Sequence, residues 1–294
     1  MSTPAQRLAR LALPALAAYG LALVLLPRLA APTLPVALGL TFVSFGLLAA
    51  LMLVGAGGLA AVRMPRWAEP LLLLAGLGLW AALYFGLGQV KGQPPPPWHP
   101  PLMALAMIVA TVGLARLLTT WLVREKNLLP IVLVLMAVVD LWGVAVGPTS
   151  QALEVAPELV SKASAALPAI QTKAPMPEGF FLPSLQIGPG DVLFAALILG
   201  VVARHALSLR ANLLWMWALI MVGLGLAYFT PWAIPGLIFI GLAGLIANRG
   251  RWDYTPTERH AILWACVIMV PLLVAAALYF GARGEPLPPE GLTG

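Results

Sequence analysis

The chain has 294 residues, of which 61% are hydrophobic and 10% charged, with a mean hydropathy of +0.94. This excludes an ordinary soluble domain and indicates a polytopic α-helical membrane protein, because apolar runs of about 20 residues can cross a hydrocarbon core of ~30 Å. The formal charge of +6 does not imply a nucleic-acid partner, since Lys and Arg gather in short connections, and a lone Cys266 excludes disulfides and thiolate metal sites.

Taken in chain order, hydropathy predicts nine spans, at 11–31, 35–62, 69–89, 101–123, 128–147, 190–209, 212–230, 234–248 and 260–282. The first begins after Arg7 and Arg10 without a clear cleavage site, so it reads as a retained span rather than a signal peptide. Prolines mark the breaks: Pro32 and Pro35, the GQPPPPWHPP stretch at 92–101, then Pro231 and Pro235. Gly55-Ala56-Gly57-Gly58 lies inside an apolar span and reads as close helix packing, not a phosphate loop. Arg116 and Arg204 read as cations snorkelling to the membrane boundary. The expected fold is thus an all-α membrane bundle. A four-helix scaffold spans 1–127, a catalytic region with a long connection at 148–189 spans 128–248, and a C-terminal helix and tail span 249–294.

Orientation follows from Lys and Arg. Twelve of the seventeen, including Arg10, Arg63, Arg66, Lys126 and Arg249, fall on the side of the N-terminus, and five on the other. The N-terminus is therefore expected in the cytoplasm, with the C-terminus and 148–189 outside.

Only three aspartates occur, and two of them, Asp140 and Asp191, stand in apolar spans. A carboxylate at membrane depth costs about 2.5–3.5 kcal/mol on insertion scales, which makes each a functional candidate. At about 1.5 Å per residue, Asp140 lies ~21 Å from Lys126, Asp191 ~20 Å from Arg204, and Pro235 ~21 Å from Arg249. Three features from three spans reach one depth. Two carboxylates a few ångströms apart share a proton, so one can activate water while the other donates to a carbonyl oxygen. Which of them starts protonated is open. Gly188 and Gly190 remove bulk, so that a second backbone can approach Asp191, and tolerate unusual φ. The residues before them, at 180–187, are extended in character, and Leu185, Gln186 and Ile187 could receive a substrate backbone by strand addition. A helical substrate needs such unwinding because its carbonyls are already hydrogen-bonded.

Other chemistries find little here. No His-Glu-x-x-His or Gly-x-Ser-Gly occurs, and His99, His205 and His260 are scattered, so neither metal nor cofactor is expected. A single intramembrane Asp can instead serve only to bond a neighbouring helix.

Residues 128–248 resemble the presenilin and signal peptide peptidase family of GxGD intramembrane aspartyl proteases, as a distant prokaryotic member. Asp140-Leu141-Trp142-Gly143-Val144 matches the first aspartate motif, Gly188-Pro189-Gly190-Asp191 the second, and Trp232-Ala233-Ile234-Pro235 part of the Pro-Ala-Leu-Pro motif. Val139 replaces the usual aromatic, Pro189 the usual Leu, and Trp232 the first proline. The resemblance implies Asp140 and Asp191 as the catalytic pair, and a substrate site formed by Leu185, Gln186, Ile187, Gly188, Gly190, Ala233, Ile234 and Pro235. The implied substrate is a transmembrane helix or signal-peptide remnant in the lipid bilayer. Prepilin peptidases share Gly-x-Gly-Asp but continue with Lys, where this chain has Val192-Leu193-Phe194. A proton-coupled transporter and a membrane scaffold are the non-enzymatic alternatives.

Overall fold

The computed structural model describes residues 3–86, 95–145, 162, 164–175, 185–229, 236–260, 262–264, 267–268, 271 and 275. Eight helices follow in chain order: α1 (Pro4–Leu25), α2 (Leu34–Ala61), α3 (Ala68–Phe85), α4 (His99–Trp121), α5 (Leu129–Ala145), α6 (Pro189–Arg204), α7 (Leu209–Phe229) and α8 (Gly236–Ala247). Helical backbone resumes at 256–260. Among the described residues five helices, α1 to α4 and α7, are long and apolar enough to cross a membrane. The chain is a helical bundle of membrane-protein type.

The starts of the second to eighth helices agree with the hydropathy reading within three residues. The helix expected at 190–209 ends at Arg204, where His205 caps it, and the span expected at 260–282 lies mostly outside the described residues. The first helix begins at Pro4 rather than residue 11, because Thr3 and Gln6 form a reciprocal capping box and Pro4 occupies the first turn. It ends early at Leu25, where Pro27 turns the chain into a single 3₁₀ turn, Leu26–Arg28.

Successive helices alternate in direction, as the contacts at their ends show. At one end, the α2 carbonyls of Leu59, Ala60 and Val62 all accept from Nη1 of Arg116 in α4, at 3.0, 2.7 and 2.7 Å. Arg116 also pairs with Glu69 of α3 at 3.4 Å and is only 7% exposed. It does not snorkel. Its guanidinium closes the C-terminus of α2, where unpaired carbonyls carry negative potential. Arg204 donates to the Thr119 carbonyl at 2.7 Å. At the same end Asn212 and Asn248 exchange side-chain bonds at 3.1 and 2.9 Å, tying α7 to α8, and Lys126 pairs with Asp253.

At the opposite end, the connection between α5 and α6 folds onto the bundle. Its strand β2 (Ala165–Leu167) pairs antiparallel with β4 (Leu185–Ile187), with Ala166 opposite Gln186. Between them, β3 (Gln171–Thr172) pairs in parallel with β1 (Ala30–Ala31) from the α1–α2 connection. Buried Thr41 of α2 accepts the Ile170 N–H at 2.9 Å, and Trp80 of α3 donates to the Lys162 carbonyl at 3.2 Å. The described parts of this connection are therefore docked on α2 and α3.

Glycine sets the helix spacing. A Cβ at Gly113 of α4 would lie 2.5 Å from the Leu73 nitrogen of α3, and one at Gly76 would strike the Ala110 backbone in return. Gly58 meets the Leu8 carbonyl of α1 at 2.7 Å and Gly57 meets Leu199 of α6 at 2.5 Å, as close packing requires. In lipid such approach supplies dispersion contacts that hydrophobic burial cannot. Outward positions carry large apolar side chains, Leu71, Leu74 and Leu77 on α3 and Leu214 and Val222 on α7 among them.

Gly76→Val should therefore cost about 3 kcal/mol of stability by overpacking against backbone. Gly78→Val, where a Cβ meets nothing within 4 Å, should stay within about 0.5 kcal/mol of the parent. Thermal unfolding in detergent checks both, and equal losses would contradict the packing account.

Candidate active site

Asp140 sits in the C-terminal half of α5, and its helix brings the carboxylate to the first described residues of α8. Its Oδ2 accepts the Leu237 N–H at 2.9 Å. Leu237 is the second described residue of α8, and its N–H is committed to this carboxylate.

Asp191 occupies the third position of α6. Gly188 is extended, with φ −69° and ψ 156°, and Pro189 fills the first helical position. The Asp191 carboxylate then reaches back to accept the Gly188 N–H through Oδ2 at 3.1 Å. Gly-Pro-Gly-Asp is thus a helix start in which the third residue caps the entering chain. Neither glycine takes the positive φ that glycine permits, so that part of the expectation fails. At Gly190 a Cβ would meet nothing within 4 Å among the described residues, so there is open space one residue from the carboxylate and no steric need for glycine.

The second contact to α8 comes from Gly236. A Cβ there would strike Oδ1 of Asp191 and come within 3.0 Å of its Cγ. Consecutive residues of α8 therefore touch both aspartates: the Gly236 backbone lies against Asp191, and the Leu237 N–H bonds Asp140. Both aspartates are partly exposed rather than sealed in the core.

The same glycine pattern continues along α8. Gly241 lies over the Leu133 carbonyl of α5, with a Cβ distance of 3.2 Å, and Gly244 over the Leu133 side chain at 2.8 Å and Ile198 of α6 at 3.6 Å. One small-residue face lets α8 settle between the helices that carry the aspartates. Gly236 and Leu237 were not singled out in the sequence. The available signal was the spacing of Gly236, Gly241 and Gly244, which places them on one helical face directly after Pro235.

Leu185, Gln186 and Ile187 form β4, which enters Gly188 directly, so the extended reading holds there. One edge of β4 is occupied by β2. Ala233, Ile234 and Pro235, with the rest of the partial proline motif, lie outside the described residues, as do residues 180–184. No group of three or more His, Cys, Asp or Glu that could hold a metal occurs among the described residues. No family model, curated protein or solved structure matches the chain.

The contact between Gly236 and Asp191 can be measured without reference to activity. Gly236→Ala should destabilise the protein by about 1–3 kcal/mol. In an Asp191→Gly background most of that loss should vanish, because the opposing carboxylate is gone. Strict additivity in thermal unfolding would show that the two residues do not meet.

Proposed function

We propose that the chain is an intramembrane aspartyl protease of the GxGD type, with Asp140 and Asp191 as its acid–base pair. One observation carries the reading: carboxylates from two different helices converge on the first turn of a third, α8, beside the open space at Gly190. A merely structural aspartate needs no such partner. Two carboxylates in a low-dielectric setting cannot both be ionised cheaply, so the pair holds one proton between them. The ionised member takes a proton from water as the oxygen attacks the peptide carbonyl. The protonated member donates to the carbonyl oxygen, giving a neutral tetrahedral diol. Proton return through the same pair, with the roles exchanged, expels the amine and restores the starting state.

The substrate is a transmembrane helix or signal-peptide remnant that unwinds to reach the pair. β4 supplies an extended template, with the edge turned away from β2 as the side for strand addition. Gly188 and Gly190 then bring the added backbone toward Asp191, while Ala233, Ile234 and Pro235 form the opposite wall. α6 supports a site below the outer surface. With 16 residues α6 extends about 24 Å, less than a hydrocarbon core of ~30 Å, so it begins part-way across. The full arrangement has nine spans in a prokaryotic plasma membrane, the N-terminus in the cytoplasm and the C-terminus outside.

A scaffold reading draws on one feature of its own: each carboxylate already accepts a backbone N–H, from Leu237 and Gly188. Asn retains an acceptor and can keep both bonds, which separates the readings. Asp140→Asn and Asp191→Asn should each lower cleavage of a model transmembrane substrate at least about 1,000-fold, in line with loss of an acid–base group, with unchanged thermal stability. Near-normal cleavage by both variants would refute the protease. Topology is tested separately. A thiol reagent excluded from the cell should label a cysteine placed at Lys162 and spare one at Arg63, and the reverse pattern would invert the orientation.

A further inference from the structure

At the end of the bundle away from the aspartates, α1, α2, α4 and α6 enclose a cavity of about 850 Å³. Arg10, Arg63, Arg66, Arg116 and Arg204 line it, against a single carboxylate, Glu69. Glu69 is already engaged, pairing with Arg116 and accepting from Thr120 at 3.2 Å. The cavity thus carries a large uncompensated positive charge. Arg116 is 7% exposed, and its Nε is buried with no hydrogen-bond partner. Arg116 is otherwise committed, through Nη1 to three carbonyls and through Nη2 to Glu69. A phosphate would therefore fall to Arg10, Arg63, Arg66 and Arg204, whose guanidinium shape matches its oxygens.

A second cavity, of about 810 Å³, shares Arg66, Glu69, Thr120 and Arg204 with the first. It then runs along Leu117, Leu118 and Trp121, and Trp121 is 71% exposed on the outer surface. The two cavities therefore adjoin across the residues they share, the first lined by guanidinium groups and the second mostly apolar, with Arg124 also in its lining. A soluble anion would use the first and leave the second without a purpose, whereas a phospholipid fills both.

We infer that this end of the bundle binds an anionic phospholipid, its phosphate among the arginines and an acyl chain along Leu117, Leu118 and Trp121. The site lies on the side where Lys and Arg concentrate, which is the leaflet where anionic lipids and basic residues meet. The inference depends on membrane insertion but not on the protease reading, and its test does not use activity.

Native mass spectrometry of the full chain released from micelles, offered phosphatidylglycerol and phosphatidylcholine together, decides the matter. One phosphatidylglycerol should remain bound at collision energies that strip phosphatidylcholine. Each basic residue near the headgroup contributes about fivefold, so Arg63→Gln with Arg66→Gln should weaken that binding about thirtyfold. Arg10→Gln, on a different helix, should weaken it about fivefold. Arg28→Gln, at the opposite end of α1, should leave it unchanged. Equal retention of the two lipids would overturn the inference, as would undiminished phosphatidylglycerol binding by both the double variant and Arg10→Gln. Stabilisation by inorganic phosphate alone equal to that by phosphatidylglycerol would assign the cavity to a free anion instead.

Discussion

A helix that ends inside a low-dielectric medium leaves backbone groups with no water to receive them, and the polar contacts of this bundle answer that constraint. Donors at the start of α8 and before α6 meet carboxylates, Asp140 for Leu237 and Asp191 for Gly188. Acceptors at the other helix ends meet cations or rings. Arg116 gathers three carbonyls of α2, Arg204 takes one from α4, and the buried His99 ring donates to Leu83 at the end of α3. The sign of the charge follows the sign of the helix end. Asp140 and Asp191 therefore lie at one end of the bundle, and Arg116 and Arg204, with Glu69 paired to Arg116, at the other.

Glycine makes the acidic end chemically interesting. A helix whose first residue bore a Cβ could not enter between Asp140 and Asp191 without displacing a carboxylate oxygen. Gly236 removes that atom, and Gly241 and Gly244 let the rest of α8 follow into the groove of α5 and α6. The same device, at Gly57 and Gly58, brings α6 and α1 onto α2. The aspartates are held by backbone contacts of neighbouring helices, which have fewer alternative rotamers than side chains would. The acid–base pair proposed above would require that kind of fixed approach.

The long apolar elements were legible because their signal is strong: the span expected at 35–62 is a helix at Leu34–Ala61, and that at 128–147 is Leu129–Ala145. The convergence of Asp140 and Asp191 on one helix was suggested by their matched positions in two apolar runs, and both do meet the start of the described part of α8. Short polar codes were harder to read. The Thr3–Gln6 capping box extends α1 by two turns, yet one Thr and one Gln barely alter hydropathy. Strands of two or three residues, such as β1 and β3, have no periodicity to detect, and their partners lie more than a hundred positions away. Arg116 was misread because snorkelling assumes free water at the helix end. Here the carbonyls of α2 stand where that water would be, and the guanidinium turns inward.

The docked connection links these ends to the site. β4 runs without interruption into Gly188 and then Asp191, so any displacement of the strand reaches the carboxylate through three residues. The strand is itself fixed by β2, and the neighbouring stretch by Thr41, Trp80 and β1. The outer ends of α2 and α3 thereby position an extended segment that hydropathy assigns to a connection. Such anchoring has a thermodynamic advantage for strand addition. A template already ordered in the free protein does not add its own ordering cost of about 1–2 kcal/mol per residue when a substrate backbone arrives. On the proposed protease function, the remaining cost is that of unwinding the substrate, and that cost would discriminate between helices. Segments rich in glycine or β-branched residues unwind more readily than leucine-rich ones, so the choice of substrate would rest on helix stability as much as on side-chain pockets.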